Sequence, residues 1–219
     1  MRSHATTGGP AAMSGRSGTL NVCSIAGVVP QKLRGETGVG VIILGIDPGL
    51  ANTGWGVIER AGSKLRCIAY GCIQTGARED LAQRLARIHD DVREVIVRYR
   101  PTECAVESVF FGSNAKSAFA TGQARGVALL ATADARLVLG DYSPVQIKST
   151  VVGSGTADKA QVQYMVRVML GLDHEPQPDH AADALAAAIT HANLRGRAML
   201  ESAAADAIAG PTGTGKSAR

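Results

Sequence analysis

The chain has 219 residues, of which 45% are hydrophobic and 4% aromatic, with four cysteines and a formal net charge of +4. That length suits one domain with tails rather than two full domains, and the apolar share allows a sizeable core built from Ala, Val, Leu and Ile. The charge admits a nucleic-acid partner without requiring one, no apolar run reaches the length of a membrane span, and Cys23, Cys67, Cys72 and Cys104 form no C-x-x-C zinc pair and fit a reducing cytoplasm.

Residues 1–40 are rich in Gly, Ser, Thr and Ala and show little periodicity. They hold much of the positive excess (Arg2, Arg16, Lys32 and Arg34 against Glu36) and lack the continuous apolar stretch of a secretory signal. The expectation is a disordered extension, or a start codon assigned too early. VIILGID (41–47) is an apolar run ending in an acid, which suits a buried central strand, and Asp-Pro-Gly breaks it. GWGVIER (54–60) and LRCIAYGCI (65–73) read as two more strands joined by Gly-containing turns, and links so short predict an antiparallel meander. Residues 79–99 switch to helical spacing, with Leu81, Leu85, Ile88, Val92, Val95 and Ile96 on one face, and Pro101 ends the helix. ECAVES (103–108) is a short strand leading to Glu107, and 115–134 is an Ala- and Gly-rich helix with few charges, suited to close packing or a subunit interface. LVLGDY (137–142) makes a fifth strand, followed by helices at 158–170 and 180–194 and a flexible tail over 198–219. The order predicts an α/β architecture, a five-stranded mixed sheet flanked by helices in a single domain over 41–197.

Three acids and a histidine stand at the ends of these elements. Asp47 ends an apolar strand, where an unpaired carboxylate is costly; alternatively it caps the following turn through its own backbone. Glu107 repeats the pattern, with a solvent-facing strand end as the plainer alternative. In PQPDHAADALAAAITH (176–191), His180 and Asp183 are three apart and share a helical face that is otherwise apolar. Asp179 is a good N-cap there and a possible substitute ligand at i, i+4 from Asp183. If these groups converge they can hold two divalent cations, one to activate water and one to stabilise the leaving oxygen. Oxygen ligands suit Mg²⁺, and a His shifts the preference toward Mn²⁺.

Four segments then resemble the RuvC family of Holliday-junction resolvases: LGIDPGLANTGWGVIE (44–59), AVESVFFGSNAKSAFATGQARG (105–126), QIKSTVVGSGTADKAQVQYMV (146–166) and PDHAADALAAAITH (178–191). They stand in family order at family spacing over roughly residues 41–195. The resemblance implies a ribonuclease-H-like fold and a nuclease that cuts four-way DNA junctions, with Asp47, Glu107, His180 and Asp183 as catalytic metal ligands for Mg²⁺ or Mn²⁺. It also implies Phe110 as an aromatic wedge at the junction, with a core residue as the alternative, and Lys148 and Lys159 near the scissile phosphate. Lys116 and Arg125 stay open between phosphate contacts and packing. The helix at 115–134 matches the family's dimer helix, so a homodimer is implied, as is a branch-migration helicase complex as partner.

GPTGTGKS (210–217) matches the P-loop spacing, which works only between a strand and a helix; two residues follow Ser217, so no ATP site is expected. GIDPG also opens actin-like phosphotransferases, but those need two such domains. A non-catalytic junction binder would lack a ligand, whereas all four positions here carry usable side chains. A ribonuclease-H-like enzyme acting on RNA is separated only by the family resemblance.

Overall fold

The computed structural model describes residues 40–108 and 115–209, with side chains for 40–108 and 118–196. The expected N-terminal extension, Phe110, the side chain of Lys116 and the P-loop-like segment lie outside the described residues. Strands β1 (Val41–Asp47), β2 (Asn52–Ala61) and β3 (Lys64–Gln74) are followed by α1 (Leu81–Tyr99), β4 (Glu103–Glu107), α2 (Ala115–Asp134) and β5 (Val138–Tyr142). Helices α3 (Pro144–Val151), α4 (Lys159–Leu170) and α5 (Asp179–Ala209) complete the order.

The five strands form one mixed sheet in the order β3-β2-β1-β4-β5. The short Gly-containing links produce the expected antiparallel meander, whereas the helical crossovers through α1 and α2 make β4 and β5 parallel to β1. Parallel pairing of β1 with β4 has a direct consequence. Ile46 pairs with Val106, so the two strands end side by side and deliver Asp47 and Glu107 to the same edge.

Alternation along β1 and β4 divides the core between the two faces of the sheet. Leu44, Ile46, Cys104 and Val106 point into a cluster with Trp55, Ile88, Val92, Val95 and Ala128, under α1 and α2. Ile43 and Ala105 point into the other, with Tyr70, Ile147, Val166, Leu185 and Ile189, under α3, α4 and α5. The expected aliphatic interior thus has one large aromatic on each side: Trp55 and Tyr70 are the largest fully buried side chains. Period two also puts Asp47 and Glu107 on the α5 face.

Helix α5 lies unusually close to the sheet. Ala181, Ala182, Ala184 and Leu185 to Ile189 are fully buried, and beneath them run Gly45 of β1 and Gly54 and Gly56 of β2. A Cβ added at Gly45 would strike the Ala184 carbonyl, one at Gly54 the His180 carbonyl, and one at Gly56 the Leu185 side chain. The glycines therefore set the distance between helix and sheet.

Further along α5, the imidazole of His191 is buried between Glu103 and Tyr142, at 2.8 Å from each. The Glu103 carboxylate can only accept, so Nε2–H donates to it, and Nδ1 accepts from the Tyr142 hydroxyl. Arg195 closes on the other Glu103 oxygen at 2.8 Å. Gly140 leaves the space in which the Tyr142 hydroxyl and His191 Nδ1 meet.

Two elements differ from the sequence expectation. Helix α3 lies outside the expected elements, although Ser143 and Gln146 form a reciprocal capping box with Pro144 just inside the helix. Its eight residues are too short for a periodicity signal. Helix α5 runs past the expected end at 194 to Ala209, through part of the segment expected to be a tail, because residues 197–209 contain strong helix formers and no Gly or Pro. No helix among the described residues is long and apolar enough to cross a membrane.

Overpacking under α5 should be costly. Gly45→Ala and Gly54→Ala are each expected to destabilise the fold by about 2 kcal/mol or more, read as a lower denaturant midpoint. An unchanged midpoint for both would remove the glycines as the spacing constraint.

Candidate active site

Asp47 reaches the site because its turn is closed by another residue. The buried Thr53 hydroxyl donates to the Gly49 carbonyl at 2.7 Å and accepts from the Gly49 amide at 3.4 Å. The Asp47 carboxylate is therefore not consumed as a turn cap. Its Oδ2 lies 2.8 Å from Nδ1 of His180, in the first turn of α5. Asp183, one turn on, completes a group: one donor atom each from Asp47, His180 and Asp183 lies within 4.8 Å of the others. A small inward shift brings such atoms to the spacing of ligands around one divalent cation. The positive end of the α5 dipole faces these carboxylates.

Glu107 stands beside this triad rather than in it. It shares with Asp183 a cleft of about 250 Å³, walled by Pro144 and Ile147 of α3, Val162 of α4 and Ala186 of α5, and lined also by Lys148 and Lys159. The four expected ligands therefore meet at one place, as a triad plus one, with Asp183 common to both. Glu107 is half-buried rather than a solvent-facing strand end.

The electrostatics show an excess of carboxylate. Burial, then the charges of Asp47 and Asp183, push the Glu107 carboxyl up to about 7, only partly offset by Lys148 and Lys159. Burial and Asp47 raise Asp183 as well. The hydrogen bond to Asp47 raises His180 despite the opposing effect of burial. Carboxylates pushed upward by one another and an imidazole within reach make a donor set that a divalent cation fits.

The lysines occupy different positions. Lys148 projects from α3 into the cleft. Lys159 is the first residue of α4, whose start is fixed by a capping box between Asp158 and Gln161. Its Nζ lies 3.1 Å from Asp179 Oδ2 and 3.4 Å from Asp183 Oδ2. Asp179 opens α5, but its carboxylate turns to Lys159 and to Gln163 Nε2 at 3.0 Å, not to the triad. Arg125 turns inward and pairs with Asp141, which also accepts from the Ser108 hydroxyl; its contacts favour the packing alternative over a phosphate contact. Thr53 and Gln163 escaped the sequence reading, since a lone Thr or Gln carries no motif.

Comparison with known proteins gives one consistent picture. The family model for the crossover junction endodeoxyribonuclease RuvC matches residues 43–191. The RuvC of Treponema pallidum (strain Nichols) is 48% identical over 157 residues, covering 72% of this chain and 80% of that protein. The RuvC of Heliobacterium modesticaldum is 52% identical over 149 residues, covering 68% of this chain and 92% of its own length. Among solved structures, Thermus thermophilus RuvC in complex with a Holliday junction substrate aligns with a TM-score of 0.69 at 39% identity, covering 72% of this chain and 96% of that one. The yeast mitochondrial Holliday junction resolvase aligns with a TM-score of 0.54 at 16% identity over 73% of this chain and 82% of its own, a likeness of fold.

The crowding at Glu107 has a measurable sign. Its folded value, about 7, lies above the ordinary 4.5, so the stability it contributes without a cation is fully present below about pH 4.5 and lost as pH rises through about 7. Urea midpoints of the cation-free protein at about pH 5 and about pH 8 should fall for the wild type, and Glu107→Gln should flatten that fall. Equal slopes for the two proteins would mean that Glu107 titrates normally.

Proposed function

Because the chain belongs to the RuvC family of crossover junction endodeoxyribonucleases, we propose that it resolves four-way DNA junctions by divalent-metal-dependent hydrolysis at the cleft of Asp47, Glu107, His180 and Asp183. One observation carries the assignment of the site: three ligand-type side chains from β1 and α5 converge within 4.8 Å, with a fourth carboxylate and two lysines beside them.

In this reading Asp47, His180, Asp183 and Glu107 are the residues that would hold the divalent cations, two per site. The chemistry that Mg²⁺ or Mn²⁺ would supply there is activation of a water and stabilisation of the leaving oxygen. The rest of the chemistry belongs to the chain. Lys148 and Lys159 face the cleft from two helices and stabilise the charge that builds on the attacked phosphate. The apolar walls from Ile147, Val162 and Ala186 limit water around that phosphate. The hydroxyl and phosphate ends so produced are substrates for a ligase.

Two opposing strands must be cut, and α2 supplies a face for pairing two copies. Phe119, Gly122, Gly126 and Leu130 share one helical side, with Phe119 66% and Leu130 54% exposed and open space over both glycines. A two-fold dimer on this face gives two sites for two strands of a symmetric junction. The same reading includes Phe110 as the junction wedge, a branch-migration helicase complex as partner and a cytoplasmic setting, where Cys67, Cys72 and Cys104 remain free thiols.

A labelled mobile four-way junction, a plain duplex and an RNA–DNA hybrid, each with Mg²⁺, Mn²⁺ or EDTA, test this directly. Paired symmetric nicks in the junction alone, abolished by EDTA, are expected; cutting of the hybrid would move the protein to another branch of the fold. Asp47→Asn should lower cleavage by at least about a hundredfold while leaving junction binding intact, because it removes a ligand and leaves the basic groups. A variant that cuts at the normal rate removes Asp47 from the site. His180 as a ligand further predicts that Mn²⁺ supports cleavage at least as well as Mg²⁺, and a strong Mg²⁺ preference would count against it.

A further inference from the structure

Three polar residues outside the triad, Lys159, Gln163 and Asp179, form a small ladder with Asp183 between α4 and α5. Lys159 and Gln163 are one turn apart on α4, and Asp179 and Asp183 are one turn apart on α5. Gln163 is 9% exposed and its Nε2 holds Asp179 Oδ1 at 3.0 Å. The other Asp179 oxygen lies 3.1 Å from Lys159 Nζ, and the same ammonium stands 3.4 Å from Asp183 Oδ2. Lys159 is thus shared between a carboxylate outside the triad and a carboxylate inside it.

This sharing matters because an ammonium and a cation compete for Asp183. A ligated Mg²⁺ sits about 2.1 Å from its carboxylate oxygen, so an ammonium hydrogen-bonded to the same group experiences direct like-charge repulsion. Lys159 must give up Asp183 without leaving the cleft, where its charge faces the phosphate. Asp179 offers the place to hold it, and the buried Gln163 amide keeps Asp179 from swinging away.

We propose that Asp179 is a positioning residue that draws Lys159 off Asp183, freeing that carboxylate for the cation while keeping the ammonium at the cleft. The inference rests on Asp183 being a metal ligand, as argued above. It gives Asp179 a role distinct from ligation, since its carboxylate is spent on α4. It also assigns Gln163 a purpose that the other buried residues of α4, Val162, Val166 and Leu170, do not share.

A double-mutant cycle on the full chain separates the alternatives. Mn²⁺ is titrated calorimetrically, without DNA, into the wild type, Asp179→Asn, Lys159→Met and the double variant. Asp179→Asn should weaken Mn²⁺ binding by about three- to fivefold, the scale of an exposed ion pair, because Lys159 then falls back on Asp183. In the Lys159→Met background the same change should cost less than about twofold, and Lys159→Met alone should tighten binding. Asp179→Glu should restore both the Mn²⁺ affinity and the Mn²⁺ concentration needed for half-maximal cleavage. Equal losses in the two backgrounds would overturn the inference, since Asp179 would then act by its own charge or as a ligand. Absence of Mn²⁺ binding by the wild type would overturn the metal site itself, and this inference with it.

Discussion

The distance between α5 and the sheet governs the rest of the molecule. Asp47 lies on a strand and His180 and Asp183 on a helix, and short side chains meet across such a gap only if the backbones come close. Gly45, Gly54 and Gly56 remove the Cβ atoms on the strand side, and Ala181, Ala184 and Ala188 keep the helix side thin. The composition of these segments, Gly on β1 and β2 and Ala on α5, is therefore the physical condition for the triad. Trp55, the largest fully buried side chain, lies on the opposite face of the sheet, beneath α1 and α2.

Close approach creates an electrostatic cost that the site turns to use. Carboxylates from β1, β4 and α5 are brought together where water is partly excluded, and burial with mutual repulsion raises Glu107 and Asp183. The chain answers with Lys148, Lys159 and the α5 N-terminus, which soften the repulsion without cancelling it. The residual negative charge and the convergent donor set have one origin, the crowding of carboxylates at this end of the sheet. Packing against the sheet provides the free energy that holds this arrangement: the buried face of α5 and the Glu103–His191–Arg195 contacts lie farther along the same helix.

The sheet, its mixed pairing and both acid-bearing strand ends were legible because each rests on local signals. VIILGID shows a buried strand by its continuous apolar run, and the Gly-containing links dictate the meander. His180 and Asp183 were legible from their i, i+3 spacing on an apolar helix. What was not legible depends on which polar partners meet, often between distant segments. Nothing near Thr53 says that it will relieve Asp47 of capping the turn, and nothing near Glu103 says that His191 will find it across 88 positions of chain. The bonds of Thr53 to Gly49 favour a free Asp47 carboxylate over the turn-cap alternative, and the Asp141 pair favours packing over a phosphate contact for Arg125. Helix α3 carried its capping signature in plain view, but eight residues give periodicity too little to act on.

The two histidines of α5 show how far surroundings, not residue type, set the chemistry. His191 is 3% exposed; burial holds it below its ordinary value despite Glu103, so it stays neutral and serves as a fixed two-sided hydrogen-bonding group. His180 is partly open to solvent, and the bond to Asp47 raises it despite the opposing effect of burial. Three helical turns separate them, roughly 16 Å along the axis. The Glu103 and Tyr142 contacts of His191 fix the later turns of the helix on which His180 stands. The first turns of α5, which carry His180 and Asp183, thus stand on a helix whose later turns are fixed to β4 and β5.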